Sequence, residues 1–326
     1  MMVSENFEAR LILGVGILLI GFPWFADWLD EPYLVSTASR IWIYALAAMS
    51  LNLLVGFAGL VSFGHSAYVG VGAYVVGILA WHQYEETNFW GLPGTLEGFI
   101  SIPFAMIVSG IVALGIGALC LRTRGIYFIM ITLAFAQMLY FFMIGLPDYG
   151  GEDGLNLWQR SEIPGLDLSD SSQFYYVVLV LVSLWFLLSR RVVESRFGRV
   201  LTGCRYNEPR MRTLGYPVVR YKLLAFTISA MGTGLAGALM ANQNEFVSPS
   251  LMAWSTSGEL MVMVILGGMG TLIGPLVGAF LLLSFEEVLA GLTEHWMVIL
   301  GPLLVFSVLF ARGGLYRFLV GQRDDE

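Results

Sequence analysis

Hydrophobic residues in this chain arrive in blocks about as long as a lipid bilayer is thick, and that feature excludes most folds. A hydrocarbon core about 30 Å thick is crossed by about 20 helical residues, each adding about 1.5 Å. Backbone N–H and C=O groups find no water there, so each block must satisfy them internally, as a helix does. A membrane barrel would alternate polar and apolar residues in segments of about 10, and no such alternation is present. Composition agrees: of 326 residues, 57% are hydrophobic and 13% charged, against about 25% charged in soluble domains.

Hydropathy places ten spans, at about 11–25, 40–60, 66–81, 99–121, 125–145, 174–189, 221–241, 258–269, 272–290 and 296–311. The eighth is short. The longest polar stretches, 146–173 and 190–220, leave no room for a sizeable soluble domain. Residues 1–326 are therefore expected to form one all-α, polytopic transmembrane bundle. The first apolar block follows Arg10 and has the outline of a signal peptide, but no small-x-small cleavage site follows it and Asp27, Asp30 and Glu31 come next. A retained helix is the expectation. Cys120 and Cys204 adjoin basic segments and are expected as free thiols without an assigned role.

Basic residues set the orientation, because Lys and Arg near span ends stay on the cytoplasmic side. Nine of the 17 lie between 190 and 222; Arg122 and Arg124 form a second cluster, and Arg312, Arg317 and Arg323 a third. Ten alternating spans put all three clusters inside, with both termini cytoplasmic. Acids then gather outside: Glu85, Glu86, Glu97, Asp148, Glu152, Asp153, Glu162, Asp167, Asp170, Glu286, Glu287 and Glu294. The net charge of −7 averages a basic face and an acidic one, and does not point to nucleic acid.

Two segments are rich in glycine. Residues 51–74, LNLLVGFAGLVSFGHSAYVGVGAY, include Gly59 and Gly64, and residues 266–280, LGGMGTLIGPLVGAF, include Gly267, Gly268, Gly270 and Pro275. Small residues allow close helix packing; clustered Gly and Pro also allow broken backbone that lines a cavity. Both readings stay open. His65 is either a substrate or gating contact or an imidazole bonded within the turn, and Gln137 and Thr132 face either a neighbour or a pathway. No pair of residues has metal or proton-relay spacing. A phosphate loop of the form Gly-x4-Gly-Lys-Ser/Thr is absent, so the chain cannot itself hydrolyse ATP.

The segment 190–222, RRVVESRFGRVLTGCRYNEPRMRTLGYPVVRYK, is too apolar for a loose loop and too basic for a span. Residues 198–206 can continue a helix out of the sixth span. Asn207 can cap a second short helix with Pro209 in its first turn, and Gly215 can stop it. Such a knob suits a cytoplasmic partner. Topology and attraction to anionic lipid are the plainer explanation of its charge.

Four motifs, in order, carry a resemblance: LNLLVGFAGLVSFGHSAYVGVGAY, LRTRGIYFIMITLAFAQMLYF, NEPRMRTLGYPVVRYKLLAFTISA and GGMGTLIGPLVGA. Between about residues 40 and 318 the chain resembles the LivM-type permeases of branched-chain amino acid ABC importers. The resemblance implies an inner-membrane subunit working with a second, related permease, two cytoplasmic ATPases that hold ATP and Mg, and a periplasmic or lipid-anchored binding protein. It implies that Asn207, Glu208, Arg210, Leu214 and Gly215, with Arg205 leading into them, form a coupling helix seated on an ATPase, and that this chain binds no cofactor. The run Gly150 to Leu155 resembles the family's outward loop, so Glu152 and Asp153 are candidates for docking the binding protein. Leucine, isoleucine and valine are the expected solutes; urea, short amides and aromatic acids are the alternatives. An ion-driven transporter would show carboxylates in mid-span, whereas the acids here are expected in loops or at span ends. A membrane enzyme would need polar groups converging on more than His65.

Overall fold

Each long apolar block closes its own hydrogen bonds as a helix, and short polar turns fold successive helices back on one another. The computed structural model describes residues 19–302, apart from Pro32, Trp90, Gly91, Glu294, Trp296, Met297 and Leu300. Much of the first and tenth expected spans, the cleavage-site question and the third basic cluster lie outside the described residues; 19–28 are helical.

The helices are α1 (Tyr33–Asn52), prolonged by a π turn at Leu53–Phe57, α2 (His65–Tyr84), α3 (Gly98–Cys120), α4 (Ile126–Ile144) and α5 (Ser171–Glu194). Next come α6 (Arg196–Tyr206), α7 (Glu208–Thr213), α8 (Val218–Asn244), α9 (Trp254–Gly267) and α10 (Gly274–Leu292). Four two-residue strands pair as β1 (Asn88–Phe89) with β2 (Leu92–Pro93) and β3 (Leu155–Asn156) with β4 (Phe246–Val247). Among the described residues, six helices are long and apolar enough to cross a membrane: α1 with its π turn, α3, α4, α5, α8 and α10. The chain is a mostly helical, polytopic membrane protein.

The α8 helix runs through the centre against α1, α2 and α3, and α1 also packs against α5, α9 and α10. Burial separates two layers. In α1 and α8, 78% and 72% of the apolar window is buried, against 17% in α4 and 22% in α5. The outer helices turn Ile126, Met130, Phe141, Val180 and Leu184 outward, as surfaces bathed in lipid can. The α2 helix is of spanning length, but Tyr and Gly dilute its apolar character, and nearly all of it is enclosed. Where α2 crosses α8 the backbones nearly touch: a Cβ at Gly72 would fall on the Gly234 carbonyl, and one at Gly237 on the Val69 carbonyl.

The turns sort into two ends. Arg124 reaches Glu208, Arg205 reaches Gly56, and Asn52 reaches Thr271, so the turns near 58–64, 121–125, 195–217 and 268–273 share one end. Glu97 bridges to Glu162 and β3 pairs with β4, which gathers 85–97, 145–170 and 245–253 at the other. Two basic clusters thus lie together, opposite the acidic loops.

Three expectations need correction. The eighth span is α9, which begins earlier than expected, at Trp254, and has 14 residues, about 21 Å at 1.5 Å each; with the turn Pro249–Met252 before it, it leads from the acidic end to the basic one. Residues 198–206 do not continue the sixth span: α5 ends at Glu194, Ser195 turns extended, and its hydroxyl accepts from Gly198 N at 3.3 Å to start α6 afresh. The acids are not all in loops or at helix ends. Glu259 lies within α9, and Glu286 within α10 meets Arg40 of α1 at 2.9 Å; Tyr33 donates to Glu287. Pairing offsets part of the cost of withdrawing Arg40 and Glu286 from water.

Candidate functional site

The knob at the basic end is built by local rules. Asn207 Oδ1 accepts from Arg210 N at 3.0 Å, capping α7, and Pro209 sits in its first turn, where no N–H is needed. Gly215 adopts φ 86°, a conformation L side chains rarely take, and reverses the chain into Tyr216, Pro217 and α8. Behind α7, Met211 packs with Val200, Cys204, Val218 and Tyr221. Arg210 is exposed, and Tyr206 (83% exposed) and Leu214 (63%) face outward with it.

Glu208 faces inward. Its carboxylate accepts from Lys222 Nζ at 2.7 Å and from Arg212, and lies 3.3 Å from Arg124. One acid thereby ties α7 to the first turn of α8 and to the α3–α4 turn. Burial alone would raise the Glu208 carboxyl, but the hydrogen bond and charge of Lys222, then Arg124 and Arg212, hold it below the ordinary carboxylate value.

Arg205 carries the knob to both glycine segments. Its guanidinium donates to the Gly56 carbonyl and reaches Gly270, while its methylenes lie against Gly59, whose φ is 68°. The two segments also meet directly: Asn52 Oδ1 accepts from Gly270 N at 3.0 Å, and Asn52 Nδ2 donates to the Thr271 carbonyl at 2.7 Å. Gly267 packs on the Gly274 carbonyl, Gly268 bonds back to Val264, and buried Pro275 opens α10.

The remaining candidates divide. Gly64 backs onto the Thr132 carbonyl, while the Thr132 hydroxyl donates within α4 to Ile129. His65 is fully buried between the edges of Tyr68 and Phe226. Its Nε2 lies 2.8 Å from Ser229 Oγ, which donates at 2.6 Å to the Ser50 carbonyl. Nε2–H is therefore the donor, and Nδ1 accepts from Ser62, 3.2 Å away, which in turn accepts from Gly64 N. His65 thus knots α1, α2 and α8 at the turn. Gln137 stands apart, its Nε2 buried without a hydrogen-bond partner. Glu152 and Asp153 are exposed at the acidic end. Among the described residues no group of His, Cys, Asp or Glu could hold a metal, and Cys120 and Cys204 are free thiols.

Sequence reasoning missed Asn52, Arg124 and Lys222. Asn52 had a signal, being a lone amide in the apolar run ALAAMSLNLLVGF. For Arg124 and Lys222 the charge was visible, but not the acid they share.

The family described as the branched-chain amino acid transport system permease component matches residues 33–308. The chain is 28% identical over 341 residues to the high-affinity branched-chain amino acid transport system permease protein LivM of Salmonella typhimurium strain LT2, covering 96% of this chain and 76% of the relative. The same identity and coverage hold for LivM of Escherichia coli K12. Identity to the autoinducer 2 import system permease protein LsrC of Salmonella typhimurium LT2 is 24% over 338 residues, 96% of this chain and 87% of the relative. No solved structure matches the chain.

Proposed function

The chain belongs to the permease-component family of branched-chain amino acid transport systems, and from that premise we propose that it passes leucine, isoleucine and valine into the cell by alternating access. It is a multi-pass subunit of the inner membrane, a permease of the ABC importer class, which works with ATPases and a binding protein. In our reading, ten spans place both termini and the 190–220 elbow in the cytoplasm. A second, related permease completes the pathway, and two ATPases hold the ATP and Mg, so that this chain binds no cofactor.

The observation that supports the elbow as the coupling part is its two-sidedness. Tyr206, Arg210 and Leu214 point outward to a partner. Glu208 and Arg205 point inward, to α8 and to the glycine turns. A push on α7 then reaches Gly56, Gly59 and Gly270 through Arg205 without an intervening flexible link. The closed backbone packing at Gly64, Gly267, Gly268 and Pro275 would be what shifts, with His65 as the fixed knot and Gln137 as the polar group nearest a pathway. Replacing the outward pair, Arg210→Glu with Leu214→Asp, should leave the complex assembled and abolish ATP-dependent uptake of labelled leucine in vesicles. Uptake at the unaltered rate would reject the coupling role.

Leucine, isoleucine and valine are preferred because identity to the LivM proteins exceeds that to LsrC over the same share of this chain. Titrating the co-purified binding protein with leucine, urea, short amides and aromatic acids decides among the solutes. At the acidic end, Glu152 and Asp153 would meet basic residues of that binding protein. Glu152→Gln with Asp153→Asn should slow uptake several-fold at low ionic strength and little at high; equal uptake at both would discard the contact.

A further inference from the structure

A cavity of about 250 Å³ opens between the elbow, the α1–α2 turn and the α3–α4 turn. Arg124, Arg205, Arg212 and Lys222 line it, against the single carboxylate of Glu208. Lys222 is mostly enclosed, at 14% exposure, and its ammonium is held by Glu208; Arg124 (67%) and Arg212 (47%) stand at the mouth. Two carboxylate oxygens serve three of these cations, and Arg205 spends a donor on the Gly56 carbonyl. Four cations against one carboxylate leave the lining strongly positive. Guanidinium forks match the oxygens of a tetrahedral anion and bind them with charge-assisted hydrogen bonds.

The remaining wall is largely apolar. Leu121 and Val219 line the same cavity, and Ile126 and Tyr127, at the start of α4, lie just beyond Gly125 of its rim, 72% and 75% exposed. The site therefore sits where α4 and α8 begin, with an apolar lip beside a basic hollow, the combination that suits a lipid headgroup. We propose that this cavity is a binding site for a phosphate group, carried by an anionic phospholipid or free in the cytosol, that completes the charge balance behind the elbow. The site depends on the elbow lying at the membrane surface and not on which solute the importer carries.

The test uses the intact assembly purified in neutral detergent. Bound phospholipid is counted by native mass spectrometry, and thermal stability is followed with added phosphatidylglycerol, phosphatidylcholine or inorganic phosphate. Phosphatidylglycerol should be retained and should raise the melting temperature, with phosphatidylcholine doing neither. Arg124→Gln with Arg212→Gln should weaken that retention about tenfold, because each removes a charge-assisted fork. Arg190→Gln with Arg191→Gln, on the exposed end of α5, should leave it unchanged. Competition by millimolar phosphate would assign the site to the free ion, and lack of competition to the lipid. Equal retention of both lipids without any response to phosphate would overturn the proposal. So would equal loss in the two double variants, since general attraction to a basic surface would then suffice. Arg212→Lys, which keeps charge and folding, should bind more weakly than the unaltered chain; unaltered binding there would remove the fork from the argument.

Discussion

The α2–α8 crossing and the elbow both hold helices together, but by contacts of opposite kind. At the crossing, Gly72 and Gly237 lay backbone on backbone, with no side chain that could move aside. At the elbow, Glu208 gathers Lys222, Arg212 and Arg124, two of which are half-exposed and end in long, flexible stems. The first contact resists any change of spacing, because a close-packed interior has no slack. The second can adjust only at its rim, where the stems of Arg124 and Arg212 are exposed, while Lys222 stays enclosed on Glu208. An importer whose power arrives from outside the membrane needs both: a stiff centre that moves as a unit, and a joint through which the push is delivered.

The comparison is broken most directly at the crossing. Gly72→Ala adds one methyl group against the Gly234 carbonyl, and overpacking against backbone costs about 3 kcal/mol or more. Assembled protein in size-exclusion profiles should fall steeply, and a wild-type profile would show that the two helices can part freely. The elbow should respond more gently. Glu208→Gln keeps shape and removes the charge; the pairs with exposed Arg124 and Arg212 contribute no more than about 1 kcal/mol each, and enclosed Lys222 keeps an acceptor in the amide oxygen. The variant should assemble, with hydrogen exchange across α7 faster by about fivefold. Unchanged exchange would mean that the cap at Asn207 and the packing of Met211 hold α7 alone.

Acid gives the smallest effect and sharpens the same contrast. The Glu208 carboxyl is held below its ordinary value, so the stability it lends is complete above the unfolded value of about 4.3. It is lost only as pH falls through the lower folded value. Exchange in α7, corrected for intrinsic rate, should stay flat from neutral pH to about 4.5 and rise below it. The contacts of Gly72 with Gly234 and of Gly237 with Val69 involve no carboxylate and should show no step of that origin.

Local features were legible in advance. Asn207, Pro209 and Gly215 bracket α7 at the positions their backbone preferences dictate. The extra break at Ser195 escaped notice because the apolar pattern of 190–206 runs on through it, and only the serine's bond to Gly198 N marks a new helix. The pairing of Glu286 with Arg40 was hidden for a different reason. They are 246 positions apart, and an ion pair between distant helices leaves no periodic trace in either one.

The sequence by itself determined that this is a bundle of membrane helices, because long uncharged runs leave the backbone no other way to satisfy its hydrogen bonds in lipid. It also determined which turns share an end, through the alternation of basic and acidic clusters. Only the tertiary structure decided that α2 is enclosed while α4 is bare, since that depends on what packs around each. It also decided that Arg205 bridges the elbow to Gly56 and that Glu208 turns inward. Those are contacts between segments far apart in the chain, set by how the helices pack.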